Sequence, residues 1–196
     1  RETKTPAMKT QQKMSGLRLR ALYCLHSAMR ALGLGTTAEK TMALPLAVRK
    51  ANRAPAWALL PLPADVKMVR HSITGRSGPI EIKTYTPAKL NPACPRVLFL
   101  HGGGWISGDV DSLDHTCASV SRDAQCQIWS VEYRLAPETI FPGALEDCDD
   151  ALTWLATDPA LGAMPAAGIV IVGESAGGNL AAALAVLRAQ RGDQTI

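Results

Sequence analysis

The spacing of apolar residues along the chain changes character three times. Between Leu17 and Leu34, apolar positions at Leu22, Leu25, Met29 and Leu32 form one helical stripe, with Arg18, Arg20 and Arg30 placed elsewhere. Gly33 and Gly35 end it. Residues 52–65 contain Pro55, Pro61 and Pro63 and read as an extended linker. Beyond it, Val66–Ile73 and Ile80–Thr86 flank a turn at Thr74-Gly75-Arg76-Ser77-Gly78, and Ile80/Glu81/Ile82/Lys83 alternates like a half-buried hairpin strand. Arg96–Leu100, Ile128–Val131 and Gly168–Val172 are short apolar runs without alternation, the pattern of strands covered on both faces of a parallel sheet. Helical faces lie between them. Leu113, Cys117, Val120 and Ala124 make one, capped by Asp111 or Ser112. Leu145, Cys148, Leu152 and Leu155 make a second, entered through Pro142, and Leu180, Leu184 and Leu187 mark a third. A hairpin followed by alternating strands and helices predicts the α/β class.

Composition removes several alternatives. With 196 residues, 47% hydrophobic and 19% charged, the chain matches an ordinary globular protein and not a disordered, collagen-like or disulfide-scaffold one. No apolar run reaches the ~18–20 residues of a membrane-spanning helix, so stable membrane insertion is not expected. The net charge of +4 hides an asymmetry: residues 1–50 hold ten basic and two acidic residues, and the rest hold eleven and fifteen. A basic start suits nucleic acid, an anionic membrane or a transit peptide, but also a solvated helical face, which is the reading adopted. No basic patch interleaved with aromatics follows residue 50, so no nucleic-acid partner is expected. Cys24, Cys94, Cys117, Cys126 and Cys148 are odd in number and lack a CxxC pair, which predicts buried inert thiols, no metal site and a reducing, cytoplasmic location. Residues 1–16 are polar and basic, without the apolar stretch of a secretory signal, and are expected to be a disordered tail.

Three segments carry chemistry. In His101-Gly102-Gly103-Gly104-Trp105, directly after an apolar run, three residues without Cβ atoms let main-chain N–H groups approach a ligand closely. Such groups suit a phosphate or a developing oxyanion, or the segment is a plain tight turn. No Lys or Ser/Thr follows at phosphate-loop spacing. In Gly173-Glu174-Ser175-Ala176-Gly177-Gly178, a G-x-S-x-G set between strand and helix reads as a nucleophile elbow, with the serine hydroxyl above the sheet edge and the helix dipole favouring negative charge beside it. Tyr133-Arg134-Leu135-Ala136-Pro137-Glu138, followed by Phe141-Pro142, offers no nucleophile and reads as a supporting loop in which Arg134 and Glu138 are paired or satisfied by backbone.

The ordered set HGGGW, YRLAPE, FPGALEDC and GESAGGNLAAAL, with 74 positions between His101 and Ser175, resembles the hormone-sensitive-lipase-like branch of the α/β-hydrolases, which are carboxylesterases. The resemblance runs from about Val66 to about Gln190. It implies an α/β-hydrolase fold with an N-terminal helical cap over the acyl pocket. It also implies Ser175 as catalytic nucleophile, an oxyanion hole from the N–H groups of Gly103, Gly104 and Ala176, and a supporting loop in which Gly102 shapes the turn and His101 orders it. Glu174 stands where the branch more often has Asp. No cofactor is implied, and the partner is a small acyl ester.

In this fold the triad acid and histidine follow the serine on later strands. The 21 residues after Ser175 contain Asp193 and no histidine, while His26, His71, His101 and His115 all precede it. The expectation is therefore an N-terminal portion truncated after the elbow helix: a basic tail over 1–16, cap helices and linker over 17–60, and a partial core over 61–196. Two functions are compatible with this, a serine esterase and a non-catalytic ligand-binding or pseudoenzyme member of the same fold.

Overall fold

Five strands form one mixed sheet in the order β1-β2-β4-β3-β5. The computed structural model describes residues 37–51 and 61–193, so the helix expected over Leu17–Leu34, the tail before it and residues 52–60 of the linker lie outside the described residues. Two units divide the chain, Arg1–Lys40 and Thr41–Ile196. Of the first, only the start of α1 (Ala38–Met42) is described, where Lys40 N–H donates to Thr37 Oγ1 at 3.2 Å.

In the second unit α2 (Leu46–Ala51) precedes the hairpin of β1 (Val66–Gly75) and β2 (Gly78–Pro87). β2 also pairs antiparallel with β4 (Ile128–Glu132), with Ile82 opposite Val131. β4, β3 (Arg96–Leu100) and β5 (Ile169–Gly173) run parallel, with Leu98 opposite both Trp129 and Ile171. Parallel neighbours require crossovers, and helices α3 (Asp114–Ala124) and α4 (Gly143–Thr157) supply them, while α5 (Ala176–Gln190) follows β5.

These crossovers cover both faces of the sheet, which is why its central runs do not alternate. Leu98 and Leu100 join Ile82, Trp129, Leu152 and Leu184 in the core beneath α4 and α5. Phe99 turns the other way and packs with Tyr85, Ile128 and Cys117 beneath α3. The alternation at the start of β2 is accordingly misleading. Lys83 is buried, and its ammonium lies 2.7 Å from an Asp111 carboxylate oxygen and 2.6 Å from one of Asp114. The face expected to meet water is roofed by α3, and the charge is satisfied there.

Two details of α3 differ from expectation. Neither Asp111 nor Ser112 caps it. Asp111–Leu113 is a 3-10 turn, and Asp109 Oδ1 accepts the Ser112 N–H at 2.7 Å ahead of it. Val120 and Ala124 share a stripe with Leu113 and Cys117 by spacing but are exposed, because the face turned to the sheet runs through Cys117, Ala118 and Ser121. Among the described residues, no helix is long and apolar enough to cross a membrane.

A buried ionic cluster ties the middle of α4 and the end of α5 to the hairpin turn. Asp149 on α4 meets Arg188 at 2.7 Å, Arg191 at 2.9 Å and Arg76 at 2.6 Å. Burial alone would raise the Asp149 pKa, but hydrogen bonds from Arg191 and Arg76 and the charge of Arg188 hold it below the usual carboxylate value. A depressed folded pKa contributes stability in full above the unfolded value of about 3.9, and that contribution is lost as pH falls through the lower folded value. Asp149→Asn is therefore expected to flatten the acid side of a urea-midpoint-versus-pH curve. At pH 7 it should cost roughly 3–5 kcal/mol, because Arg188 stays buried without its carboxylate.

β5 pairs with β3 alone among the described residues, and Val170 and Val172 on it are 43% and 39% exposed. A short, apolar, uncharged edge of this kind templates strand addition. The 196-residue chain should self-associate in size-exclusion runs, and Val170→Lys with Val172→Lys should shift it toward monomer. A monodisperse parent chain would contradict this.

Candidate active site

The three parallel strands end on one edge of the sheet, and each of the three sequence segments follows one of them. His101 follows β3, Tyr133 follows β4 and Glu174 follows β5. Residues 101–175 are thereby brought together by topology, at the carboxyl edge where open α/β sheets bind ligands.

Ser175 sits in a turn with no spare volume. A Cβ on Gly173 would stand 2.1 Å from Gly177 O, and one on Gly177 would stand 2.0 Å from Leu100 O and 2.6 Å from His101 O. Glycine at these two positions lets the first turn of α5 pass directly against the end of β3. The main chain is tied there by Glu174 N–H to Leu100 O at 3.1 Å and Gly177 N–H to Glu174 O at 2.8 Å. Ser175 takes φ 52° and ψ −113°, a conformation that L-residues avoid. It is exposed and occupies the N-cap of α5, yet its side chain does not cap the helix. Ala176 is the first residue of α5, so its N–H has no acceptor within the helix.

The glycine loop is equally constrained. Gly103 has φ 137°, and a Cβ there would lie 1.7 Å from Ser107 O. Gly103 O is turned into the loop, accepting from Ile106 N–H at 3.2 Å, Ser107 N–H at 3.1 Å and Ser107 Oγ at 2.9 Å. Gly104 and Trp105 follow with φ 61° and 62°. Among the described residues, no loop or cap hydrogen bond engages the N–H of Gly103 or Gly104. Beneath them the His101 ring is fully buried and stacked on Tyr133, with centroids 4.1 Å apart. His101 Nδ1 lies 2.8 Å from Gly102 O, and Tyr133 OH donates to His101 O at 2.5 Å.

The other described histidines stand elsewhere. His71 belongs to β1, four strand spacings from β5 or about 19 Å, and its Nε2 is 3.2 Å from Thr84 Oγ1. His115 is on α3, across the sheet from α5. Among the described residues, no group of three or more His, Cys, Asp or Glu could hold a metal ion.

Sequence reasoning missed Arg49. It belongs to a basic stretch read as solvated, yet it is fully buried. Its Nε donates to Leu44 O at 3.1 Å, one terminal nitrogen to Ile106 O at 2.7 Å and Ala136 O at 2.6 Å, and the other to both oxygens of Glu138. Its own carbonyl accepts Gly108 N–H at 3.2 Å, and Ala136 N–H donates to Trp105 O at 2.9 Å. One guanidinium thus joins α2, the glycine loop and the loop after β4, and its hydrogen bonds hold the Glu138 carboxyl below its usual pKa. Arg134 is paired as well, with Asp147 of α4 at 2.8 Å. The supporting-loop reading of residues 133–138 holds for both charges.

Two cavities open near this edge. One of about 470 Å³ is lined by Lys50, Arg70, Glu81, Asp111 and Glu132. These charges already pair with one another: Lys50 with Glu132, and Arg70 with Glu81 and Asp111. The other, about 280 Å³, is chiefly apolar and lies between Trp105, Phe141, Leu145, Leu180 and Ala183, with Asn179 at its rim. Asn179 N–H donates to Ser175 O at 3.1 Å, so this cavity adjoins the first turn after the serine.

Arg49→Met is expected to lower stability by about 2–4 kcal/mol in urea melts, since the Ile106 and Ala136 carbonyls lose a charged donor. Glu138→Gln should cost far less, because its carboxylate is about half exposed. Equal losses would show that the ion pair, and not the carbonyl contacts, holds the loops.

Comparison with known proteins gives a consistent picture. Residues 97–196 match the family described as alpha/beta hydrolase fold. The chain is 43% identical over 119 residues to the carboxylic ester hydrolase LipN of Mycobacterium tuberculosis, covering 59% of this chain and 31% of LipN. It is 40% identical over 124 residues to ethyl acetate hydrolase of Pseudomonas putida, covering 61% and 39% of the two chains. The hyperthermophilic esterase of Pyrobaculum calidifontis superposes with TM-score 0.71 at 31% identity, over 88% of this chain and 55% of that one. The chain therefore spans about a third of the length of these curated relatives and about half of the solved structure.

Proposed function

Because the chain belongs to the α/β-hydrolase fold family, in its hormone-sensitive-lipase-like branch, we propose that it carries the nucleophile and oxyanion-binding half of a serine carboxylesterase. The observation that supports this most is the meeting of two strained segments at one sheet edge. Ser175 at φ 52° and the glycine loop at Gly103 and Gly104 both flank the end of β3.

In this reading Ser175 Oγ attacks the ester carbonyl carbon as a general base removes its proton. The carbonyl oxygen becomes an oxyanion, held by the N–H groups of Gly103, Gly104 and Ala176; among the described residues, no loop hydrogen bond engages the first two. Donors placed in advance cost no reorganisation when charge develops, and one of them is worth on the order of 10²–10³ in turnover. The C–O bond to the alcohol then breaks with protonation of the leaving oxygen, and water hydrolyses the acyl-serine by the same route. His101, stacked on Tyr133 and bonded to Gly102 O, orders the loop and is not the base. Among the described residues, neither His71 on β1 nor His115 on α3 stands at this edge to serve as the base.

The apolar cavity of about 280 Å³ receives the ester's small hydrocarbon group. It falls below the ~300–1,000 Å³ of pockets that enclose drug-sized ligands, so short acyl esters are the substrate class. Ethyl acetate, the substrate in the name of the Pseudomonas putida relative, has this size.

The test is hydrolysis of p-nitrophenyl acetate and butyrate by the chain alone and by the chain completed with the C-terminal portion of an esterase relative. Turnover is expected from the completed form, and Ser175→Ala should lower it on the order of 10⁶-fold. Ala183→Phe, which fills the cavity, should lower kcat/KM for butyrate about tenfold more than for acetate. Turnover that survives Ser175→Ala would overturn the nucleophile assignment. A completed form that binds ester without hydrolysing it would favour a non-catalytic binding protein.

A further inference from the structure

Cys94 and Cys126 are 32 positions apart in sequence and meet at the amino edge of the parallel strands, the end of the sheet opposite Ser175. Cys94 Sγ donates to Ala124 O at 3.5 Å, and Cys126 Sγ donates to the same oxygen at 3.4 Å. Both thiols therefore share one carbonyl acceptor.

The main chain sets this approach. Cys94 N–H donates to Asn91 O at 3.0 Å, within a turn that contains Pro92 and ends at Pro95. Cys126 N–H donates to Ser121 O at 3.2 Å, and Ser121 Oγ donates back to Cys126 O at 2.8 Å. Asn91 N–H donates to Gln125 O at 2.9 Å and ties the two segments together. Two thiols that share one carbonyl acceptor on tied segments are neighbours, and a disulfide between them has an S–S length of about 2.0 Å.

We infer that Cys94 and Cys126 form a redox modification site, closed to an intramolecular disulfide by exchange with a low-molecular-weight disulfide of the glutathione type. The Cys94 thiolate attacks one sulfur of the small disulfide, giving a mixed disulfide and releasing the first glutathione thiolate. The Cys126 thiolate then attacks Cys94 Sγ. The Cys94–Cys126 bond forms, the Cys94–glutathione bond breaks and the second glutathione thiol leaves. Two electrons pass from the protein thiols to the small disulfide, and the two protons they lose end on the released thiols.

Exposure sets the order of these steps. Cys94 is partly exposed and Cys126 buried. Burial, and the neighbouring Cys94, push the Cys126 thiol up to about 11, so it does not react first with a reagent from solution. Cys117 and Cys148 are buried in the core without such a neighbour, and burial pushes both thiols up. The ring closed at residues 94 and 126 encloses β3, the glycine loop and α3, so the cross-link anchors the segment that carries Gly103 and Gly104.

The test treats the folded 196-residue chain, as Cys24→Ser to remove the thiol outside the described residues, with oxidised glutathione. Remaining thiols are then blocked with iodoacetamide and the chain is cut with trypsin. The expected product joins peptides 90–96 and 123–134 with loss of two hydrogen masses, and dithiothreitol separates them. Cys126→Ser should stop at a stable glutathione adduct on Cys94, and Cys94→Ser should leave Cys126 unmodified. A persistent glutathione adduct on Cys94 with Cys126 intact would overturn the inference. So would recovery of both cysteines in alkylated form. The variants need only fold as the parent does, which circular dichroism checks.

Discussion

The first turn of α5 passes so close to the end of β3 that a single methyl group at Gly177 would stand 2.0 Å from Leu100 O. This backbone-to-backbone approach is the constraint on which the rest of the site depends. It forces the chain to reverse between Gly173 and Gly177 within one tight turn, and Ser175 absorbs the reversal at φ 52°. A residue in that conformation costs of order 1–3 kcal/mol and persists only where its surroundings dictate it. Here the hydrogen bond from Glu174 N–H to Leu100 O dictates it from one side, and the burial of Ala176 and Leu180 from the other. The same approach sets the elbow beside His101, and hence beside the glycine loop.

Buried charge holds the loops around this turn. Arg49 spans three segments through four acceptor groups, and Arg134 and Asp147 join the loop after β4 to α4. A planar guanidinium with five donors suits such work, because it satisfies several carbonyls and a carboxylate from one rigid plane. An apolar residue at Arg49 would pack but would leave the Ile106 and Ala136 carbonyls without a donor. Two residues further along α4, Asp149 accepts from Arg76, Arg188 and Arg191 in the same manner. Ion pairs near the protein surface contribute little on their own. These act as registration points between elements that have no strand pairing to align them.

The candidate site combines a constrained loop with an open cavity. The glycine loop has its carbonyl at Gly103 engaged three times, while among the described residues no loop hydrogen bond engages the N–H of Gly103 or Gly104. The small cavity is lined by Asn179, Ala183 and Leu145 and lies beside the first turn of α5.

Several features were legible from local sequence. Strand limits at β3 and β4 follow from short apolar runs, since burial on both faces of a sheet imposes an unbroken run, and β5 carries the same kind of run although Val170 and Val172 on it are exposed. The elbow and the glycine loop are legible because tight turns and close approach leave few residue types that fit. Other features lay outside that reach. Lys83 in Ile80–Lys83 pointed to water until Asp111 and Asp114 enclosed its charge, and the stripe through Val120 and Ala124 pointed to a core that α3 meets instead through Cys117, Ala118 and Ser121. Arg49 reads as one of ten basic residues in the first fifty, and nothing around it marks a partner at Ile106 or Ala136, 57 and 87 positions away. Cys94 and Cys126 likewise share no spacing that signals a pair. Periodicity and turn chemistry are properties of neighbouring residues, so the sequence alone determined the elements and the two strained turns. Which charges, thiols and apolar faces meet depends on how distant elements pack, and only the tertiary structure decided it.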